Sequence, residues 1–352
     1  MADVDAATVD EAVLAAEYGR DAAAKEARIA AVLAEAGLDG LFLGMRRCPV
    51  ERGYRMRASF YSAPDGPGLV GVDPRRGRVP LEESLWVIPG PAWPLVREVA
   101  GRVAAIQDEA RITGVEVRLE FGSERAHVTL SAERGGPVRL DELCARLMGE
   151  VEGVFGVAVP SQGIEAGETE HRHQLLGKTI LAHHRAFFQT NRWLTGDLAA
   201  AARSAAPDAS RIVDLYCGVG LHSIVAATAE SHVTGVDTNR WAIDSARRNA
   251  ALHGLAHARY ERVPVERIAL EADERPSVVF VNPSRFGCAP GVVERIAARR
   301  PESVCLVSCS IQSHARDLAS FVRAGYRPQP FRSFDMFPFS DFVESVTALS
   351  PA

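Results

Sequence analysis

The segment Ser303-Val304-Cys305-Leu306-Val307-Ser308-Cys309 reads as a buried strand with a thiol at its end. A thiolate at Cys309 can add to carbon six of a pyrimidine ring, which makes carbon five nucleophilic enough to take a methyl group. Glu344 stands on another apolar run, Phe342-Val343-Glu344-Ser345-Val346-Thr347-Ala348-Leu349, and shares a face with Phe342, Val346 and Ala348. An ionisable group on an apolar face is costly unless it is used or paired. From there it can strip the proton from carbon five and free the enzyme by elimination. Upstream, Asp214-Leu215-Tyr216-Cys217-Gly218-Val219-Gly220 follows a strand and opens a helix, and its glycines let the backbone approach a ligand. Asp237 comes 19 residues after Gly218, at the end of the next strand, where an acid that bonds ribose hydroxyls usually stands. Ser223 occupies the place of the third glycine of a dinucleotide fingerprint. That favours S-adenosylmethionine over NAD, because no pyrophosphate has to be cradled. Asn282, before Pro283-Ser284-Arg285, ends a further strand, where an amide can hold a planar nitrogen heterocycle by its edge.

Each feature also has a plainer reading. The glycine loop can be an ordinary tight turn, Asn-Pro a turn signal, Cys309 a small buried hydrophobe and Glu344 a solvent-facing residue of an edge strand. Cys305, deeper on the same strand face as Cys309, reads as core.

The elements that must position these groups are legible as patterns. Residues 7–36 have helical apolar spacing and end at Gly37, a plausible C-cap. From Gly53 to about residue 140, short alternating runs such as 54–60 and 115–121 are separated by turn clusters, including Ala63 to Gly68. They predict an antiparallel sheet with helices, one near 92–107. After a polar linker at 203–210, strands at 211–216, 232–237, 277–282 and 303–308 alternate with helices at 241–252, 291–298 and 313–324, and a strand at 342–349 closes the chain. Alternation of this kind predicts a doubly wound, mainly parallel sheet.

Bulk properties agree with a globular chain. Its 352 residues suffice for two domains, and 47% apolar residues exclude global disorder. The net charge of −5 does not advertise a nucleic-acid binder, although it says little about a local basic patch. Lys25 and Lys178 are the two lysines, so arginine supplies nearly all the positive charge, and arginine suits phosphate and base-edge contacts. Cys48, Cys144, Cys217, Cys288, Cys305 and Cys309 show no paired CxxC spacing, so no metal or iron–sulfur cluster is expected. The N-terminus lacks an apolar signal segment and no apolar run is long enough to span a bilayer, which predicts a cytoplasmic protein without a membrane partner.

Together these motifs resemble the RNA uracil-5-methyltransferase family, well over about residues 164–352 and in patches before that. Phe187-Phe188-Gln189-Thr190-Asn191 is similar to the family's Phe-Phe-Gln-x-Asn motif, and the resemblance implies that Gln189 contacts S-adenosylmethionine. It likewise implies cofactor contacts for Tyr216, Gly218, Asp237 and Asn282, with Cys309 as nucleophile and Glu344 as base. Asp335-Met336-Phe337-Pro338 resembles the family's Asp-x-Phe-Pro segment, and Tyr54-Arg55-Met56-Arg57 a motif of its substrate domain. The chain departs at Ser310-Ile311, where Asn-Pro is usual, at Ser284, where proline is usual, and at Phe342, where many relatives have histidine. Asn282 and Gly167-Glu168-Thr169-Glu170 resemble the ribosomal-RNA branch, whose N-terminal cysteine cluster is absent, whereas Tyr-Arg-Met-Arg is shared with the transfer-RNA branch.

The resulting expectation is an α/β protein: a Rossmann-like class I methyltransferase domain at 191–352, preceded at 1–190 by a helix and an α+β domain that binds the substrate. It would act as a monomer on carbon five of a uridine in structured ribosomal or transfer RNA. The uridine would be flipped into the crevice, and Arg55, Arg57, Arg75 and Arg76 would grip the RNA. The alternatives are methylation of an exocyclic amino group, methylation of a small pyrimidine or other non-RNA substrate, and a non-catalytic RNA-binding relative.

Overall fold

The computed structural model describes residues 11–63, 68–134, 139–205, 209–268 and 275–352. The start of the expected first helix (7–10), the turn at 64–67 and linker residues 206–208 lie outside the described residues. The chain forms two compact units that interleave along the sequence. The first comprises Met1–Glu17, Val50–His173 and Thr190–Arg192, the second Tyr18–Pro49, Gln174–Gln189 and Trp193–Ala352.

The first unit is a seven-stranded sheet in the order 77–80, 69–73, 57–62, 112–119, 126–132, 154–159, 164–167. Its pairs are antiparallel except 126–132 with 154–159. That parallel pair is joined through the helix Leu140–Glu150, since parallel neighbours need a crossover. Alternation in the sequence becomes a buried face here: Ala58 and Phe60 on one strand, Val115, Val117 and Leu119 on the next. The helix Trp93–Ala104 buries Leu95, Val96, Val99 and Val103.

Three of the four arginines expected to grip RNA are engaged inside this unit. Arg57 pairs with Glu116. Arg75 pairs with Asp73 and Glu17 and lies 4.8 Å over the Trp86 ring, and Arg76 pairs with Asp73 and Glu83. For Arg75 and Arg76 the physical reason is Asp73, which is fully buried and needs adjacent positive charge. Arg55 is partly buried, and burial pulls its pKa down.

The second unit is built on a nine-stranded sheet: β1 (Phe42–Arg46), β2 (Arg211–Leu215), β3 (His232–Asp237), β4 (Ala258–Arg262), β5 (Val278–Val281), β6 (Ser303–Ser308), β7 (Tyr326–Pro328), β8 (Phe331–Phe334) and β9 (Glu344–Pro351). Its order is β1-β8-β9-β6-β5-β2-β3-β4, with β7 also on β9. The pairs are parallel except those of β9, which runs antiparallel to β6, β7 and β8. β5 and most of β6 are buried on both faces, which is why they read as unbroken apolar runs. β4 was not anticipated: in Ala-Arg-Tyr-Glu-Arg only Tyr260 is buried, so no apolar period announces it.

The helices of this unit are α1 (Glu11–Glu35, from Tyr18 onward), α2 (Thr195–Ser204), α3 (Leu221–Ala226), α4 (Arg240–Leu252), α5 (Val292–Ala298) and α6 (Ile311–Arg323). On α1, Tyr18, Ala22, Lys25, Ile29 and Leu33 form one buried stripe at helical spacing. Lys25 is tolerated there because its ammonium meets Asp335 Oδ1 at 2.8 Å, Asp21 at 2.9 Å and the Phe337 carbonyl at 3.0 Å. Among the described residues, no helix is long and apolar enough to cross a membrane.

Candidate active site

Register places the site. β2 pairs Leu215 with Val236 of β3 and with Val281 of β5. Tyr216, Asp237 and Asn282 therefore each fall one residue past these paired positions on three adjacent parallel strands, on the carboxyl edge of the sheet. β9 pairs Ser345 with Ser308 in the antiparallel sense, so its first residue, Glu344, comes level with Cys309 on that same edge. Reversal of one strand thus brings a residue from the start of β9 to the place where the other strands end.

The glycine loop turns sharply. Tyr216 is left-handed at φ 58°, a conformation that costs a non-glycine residue stability, and its hydroxyl accepts from the Ala289 N–H at 3.1 Å. Gly218 has φ 54°, and a Cβ added there would meet nothing within 4 Å, so the loop faces open space. Its N–H donates to Asp237 Oδ2 at 3.0 Å, while Asp237 Oδ1 accepts from Asn239 N at 2.8 Å. The Asp237 carboxylate is thereby fixed by two backbone donors and keeps lone pairs for a ligand. Asn239 caps α4 through the N–H groups of Trp241 and Ala242 and donates to the Arg185 carbonyl. Behind the loop, Ser223 donates to Asp214 Oδ2 and meets the Tyr260 hydroxyl at 2.9 Å. Burial nonetheless pushes the Asp214 carboxyl up to about 7, and its Oδ1 has no partner among the described residues.

At the other end of the edge, Glu344 is 3% exposed. Burial pushes its carboxyl up to about 7, against the pull of a hydrogen bond donated by the Gln189 amide. Its Oε2 has no partner among the described residues. Glu344 is therefore not a solvent-facing edge residue: β9 is flanked by β6 and β8. Burial, then the charge of Glu344, push the half-buried Cys309 thiol up to about 11, and the nearby Arg285 guanidinium opposes the shift. Cys305 is fully buried, as its position implied. Phe342 does not share the strand face of Glu344. The strand begins at Glu344, and Phe342, 41% exposed, turns out of the preceding bend against Phe337.

The structure brings Cys309, Glu344 and Gln189 together at one end and Tyr216, Gly218 and Asp237 at the other. Asn282 stands on the strand between them. Its amide lies 3.4 Å from His222 Nε2, and burial lowers the His222 pKa to about 4, so the imidazole is neutral and accepts through that nitrogen. Two positioning residues went unnoticed in the sequence. His222 lies buried near the start of α3. Asn249 is buried in α4, accepts from Leu181 N–H and donates to the carbonyls of Leu181 and Val219, tying the segment before Gln189 to the glycine loop. Polar residues in helix interiors are common, so spacing alone did not mark it.

A family model described as a methyltransferase domain matches residues 207–308. An uncharacterized RNA methyltransferase of Caldanaerobacter subterraneus is 38% identical over 178 residues, covering 50% of this chain and 40% of that protein. The 23S rRNA (uracil(747)-C(5))-methyltransferase RlmC of Shewanella amazonensis is 29% identical over 227 residues, 60% of this chain and 59% of that one. The chain thus spans less than two thirds of the length of these relatives. Among solved structures, the tRNA (uracil-54, C5)-methyltransferase of Pyrococcus abyssi in complex with S-adenosyl-L-homocysteine superposes with a TM-score of 0.72 at 22% identity, over 94% of this chain and 83% of that one. Likeness at that level shows the fold: a Rossmann-like class I methyltransferase fold together with an α+β unit, the two interleaved along the chain where 1–190 and 191–352 had been expected.

Proposed function

We infer that this chain, a relative of RNA methyltransferases, moves a methyl group from S-adenosylmethionine to carbon five of a uridine in structured RNA. The observation that carries the reading is the group at the β6–β9 edge: the Cys309 thiol level with a buried Glu344 carboxyl that ionises near pH 7 and is held by Gln189. Methylating a ring carbon requires both a nucleophile to activate the ring and a base to remove a carbon-bound proton. Methylating an amino nitrogen requires neither a thiol adduct nor carbon deprotonation.

The donor set at the other end suits the cofactor. Asp237 keeps lone pairs for two ribose hydroxyls, Gly218 leaves backbone room, and Asn282 presents an amide edge. S-Adenosylmethionine, when bound, supplies an electrophilic methyl group. Gln189, Tyr216 and Asn282 would orient it between Asp237 and the thiol.

The protein's own chemistry then follows in balanced steps. Cys309 gives its proton to solvent, and its sulfur bonds to carbon six of the uracil while the ring π pair moves onto the carbon-four oxygen. As the pair returns from the carbon-four oxygen, carbon five would bond to the methyl carbon, whose bond to the sulfonium sulfur would break and leave neutral S-adenosylhomocysteine. Glu344 takes the proton from carbon five, the ring double bond re-forms and the carbon–sulfur bond breaks, returning the thiolate. Base flipping is required, because carbon six of a stacked base is out of reach of Cys309.

The test is incubation with methyl-labelled S-adenosylmethionine and, separately, unmodified transfer-RNA and large-subunit ribosomal-RNA transcripts, followed by nucleoside analysis. 5-Methyluridine in one pool is expected, with none from Cys309→Ala and an adduct stable to denaturant from Glu344→Gln. A labelled N-methyl nucleoside, or full turnover by Cys309→Ala, would overturn the mechanism. Absence of label in both pools would overturn the RNA substrate.

A further inference from the structure

Phe286 is 71% exposed, more than any other large apolar side chain among the described residues. A single exposed phenylalanine needs no explanation. What sets this one apart is the rigidity of the backbone that presents it. Gly287 N–H donates to the Ser284 carbonyl at 2.8 Å, and Arg316 of α6 donates to the Phe286 carbonyl at 2.7 Å. Cys288 N–H donates to Asp317 Oδ2 at 2.8 Å, and Ala289 N–H to the Tyr216 hydroxyl at 3.1 Å. Gly287 is left-handed at φ 80°, a conformation that glycine adopts without strain. A loop clamped from α6 and from the glycine loop therefore holds an aromatic face out to solvent.

Its surroundings are those of a nucleobase platform. The Arg285 guanidinium lies 5.0 Å from the centre of the Phe286 ring, and the same guanidinium is near enough to lower the Cys309 thiol. Positive charge beside an aromatic face suits a base together with its phosphate. Phe286 also stands at the mouth of a cavity of about 600 Å³, lined by Tyr216, Cys288, Pro290, Val293 and Arg316. Cys309, Glu344, Gln189, Asp237 and Asn282 do not line it, whereas Tyr216 does, so it adjoins the space assigned to the cofactor and leaves out that of the target base.

We propose that Phe286 stacks an unpaired nucleobase next to the target uridine, with Arg285 on the intervening phosphate, and that this contact contributes to the choice of RNA. The proposal rests on the RNA reading above. Stacking holds the strand on both sides of the flipped nucleotide, and because every base has a π-face it favours unpaired over paired flanks more than it selects a sequence.

The experiment compares wild type, Phe286→Ala and Phe286→Trp on whichever transcript the wild type methylates. KM for RNA should rise about tenfold in Phe286→Ala, equivalent to about 1.4 kcal/mol, and return towards wild type in Phe286→Trp. The turnover number and the dissociation constant for S-adenosylmethionine should stay unchanged. An unchanged KM in Phe286→Ala sinks the proposal. So does a loss that tryptophan does not rescue and that comes with weaker cofactor binding, since that marks a merely structural loop. A wild type that methylates no RNA removes the functional reading itself and this proposal with it.

Discussion

Replacing Glu344 by glutamine should make the protein more stable in alkaline solution while stopping turnover. The ordinary carboxyl value is 4.5, and burial pushes Glu344 up to about 7. A carboxyl raised in the folded state binds its proton more tightly there than in the unfolded chain. Its favourable contribution is fully present below pH 4.5 and is lost as pH rises through about 7. Between pH 5 and 8.5 the loss comes to about 2–3 kcal/mol through this one group. Glutamine has nearly the same shape, cannot ionise, and still offers an oxygen to the Gln189 amide. The other titrating groups are common to both proteins and cancel in the comparison, apart from the Cys309 thiol, which the Glu344 charge pushes up. Urea unfolding of the two proteins at pH 5 and at pH 8.5 should therefore show the variant gaining about 2–3 kcal/mol over wild type between the two pH values, a midpoint shift of roughly 1 M. If the gap between them is the same at both pH values, the carboxyl is not shifted and the reasoning fails, whatever happens to turnover.

Asp237→Asn should weaken S-adenosylmethionine binding about tenfold, because an amide replaces one carboxylate oxygen with a donor; calorimetry that finds the affinity unchanged would remove Asp237 from the ribose. Lys25→Met should destabilise the second unit by about 3–5 kcal/mol at pH 8, since Asp335 is fully buried, and urea unfolding should show a smaller penalty in acid, where that carboxyl takes a proton. Gly235→Ala places a Cβ 2.3 Å from the Tyr260 ring and should cost about 1–3 kcal/mol of stability, read as a fall in melting temperature.

The parts of the site set by local rules were legible in the chain. A strand followed by Asp-Leu-Tyr-Cys-Gly-Val-Gly fixes where the loop turns, and a parallel crossover fixes that Asp237 returns to the same edge. An acid among valines marked Glu344. What stayed hidden depends on contacts far apart in sequence. The Gln189–Glu344 hydrogen bond joins residues more than 150 positions apart. The membership of β1 in the second sheet could not be read from Phe-Leu-Gly-Met-Arg, because its partner is Phe331–Phe334. β4 escaped because a strand at the sheet edge with one buried residue has no period to detect. The ion pairs of Arg75 and Arg76 were equally hidden, because charge counted from sequence does not reveal the buried Asp73 that engages them.

The pairing of β1 with β8 also constrains how the chain is made. Phe42 must meet Phe331, so the edge of the second sheet cannot close during synthesis until almost the whole polypeptide has left the ribosome. Until then α1 carries Lys25 without Asp335, and β1 waits as an unpaired apolar strand. A fragment starting near residue 191 inherits the complementary defect permanently, with β8 exposed along one side and Asp335 buried without its cation. The strands that carry Cys309 and Glu344 lie in the C-terminal half, yet β8 and Asp335 beside them find their partners only in β1 and Lys25.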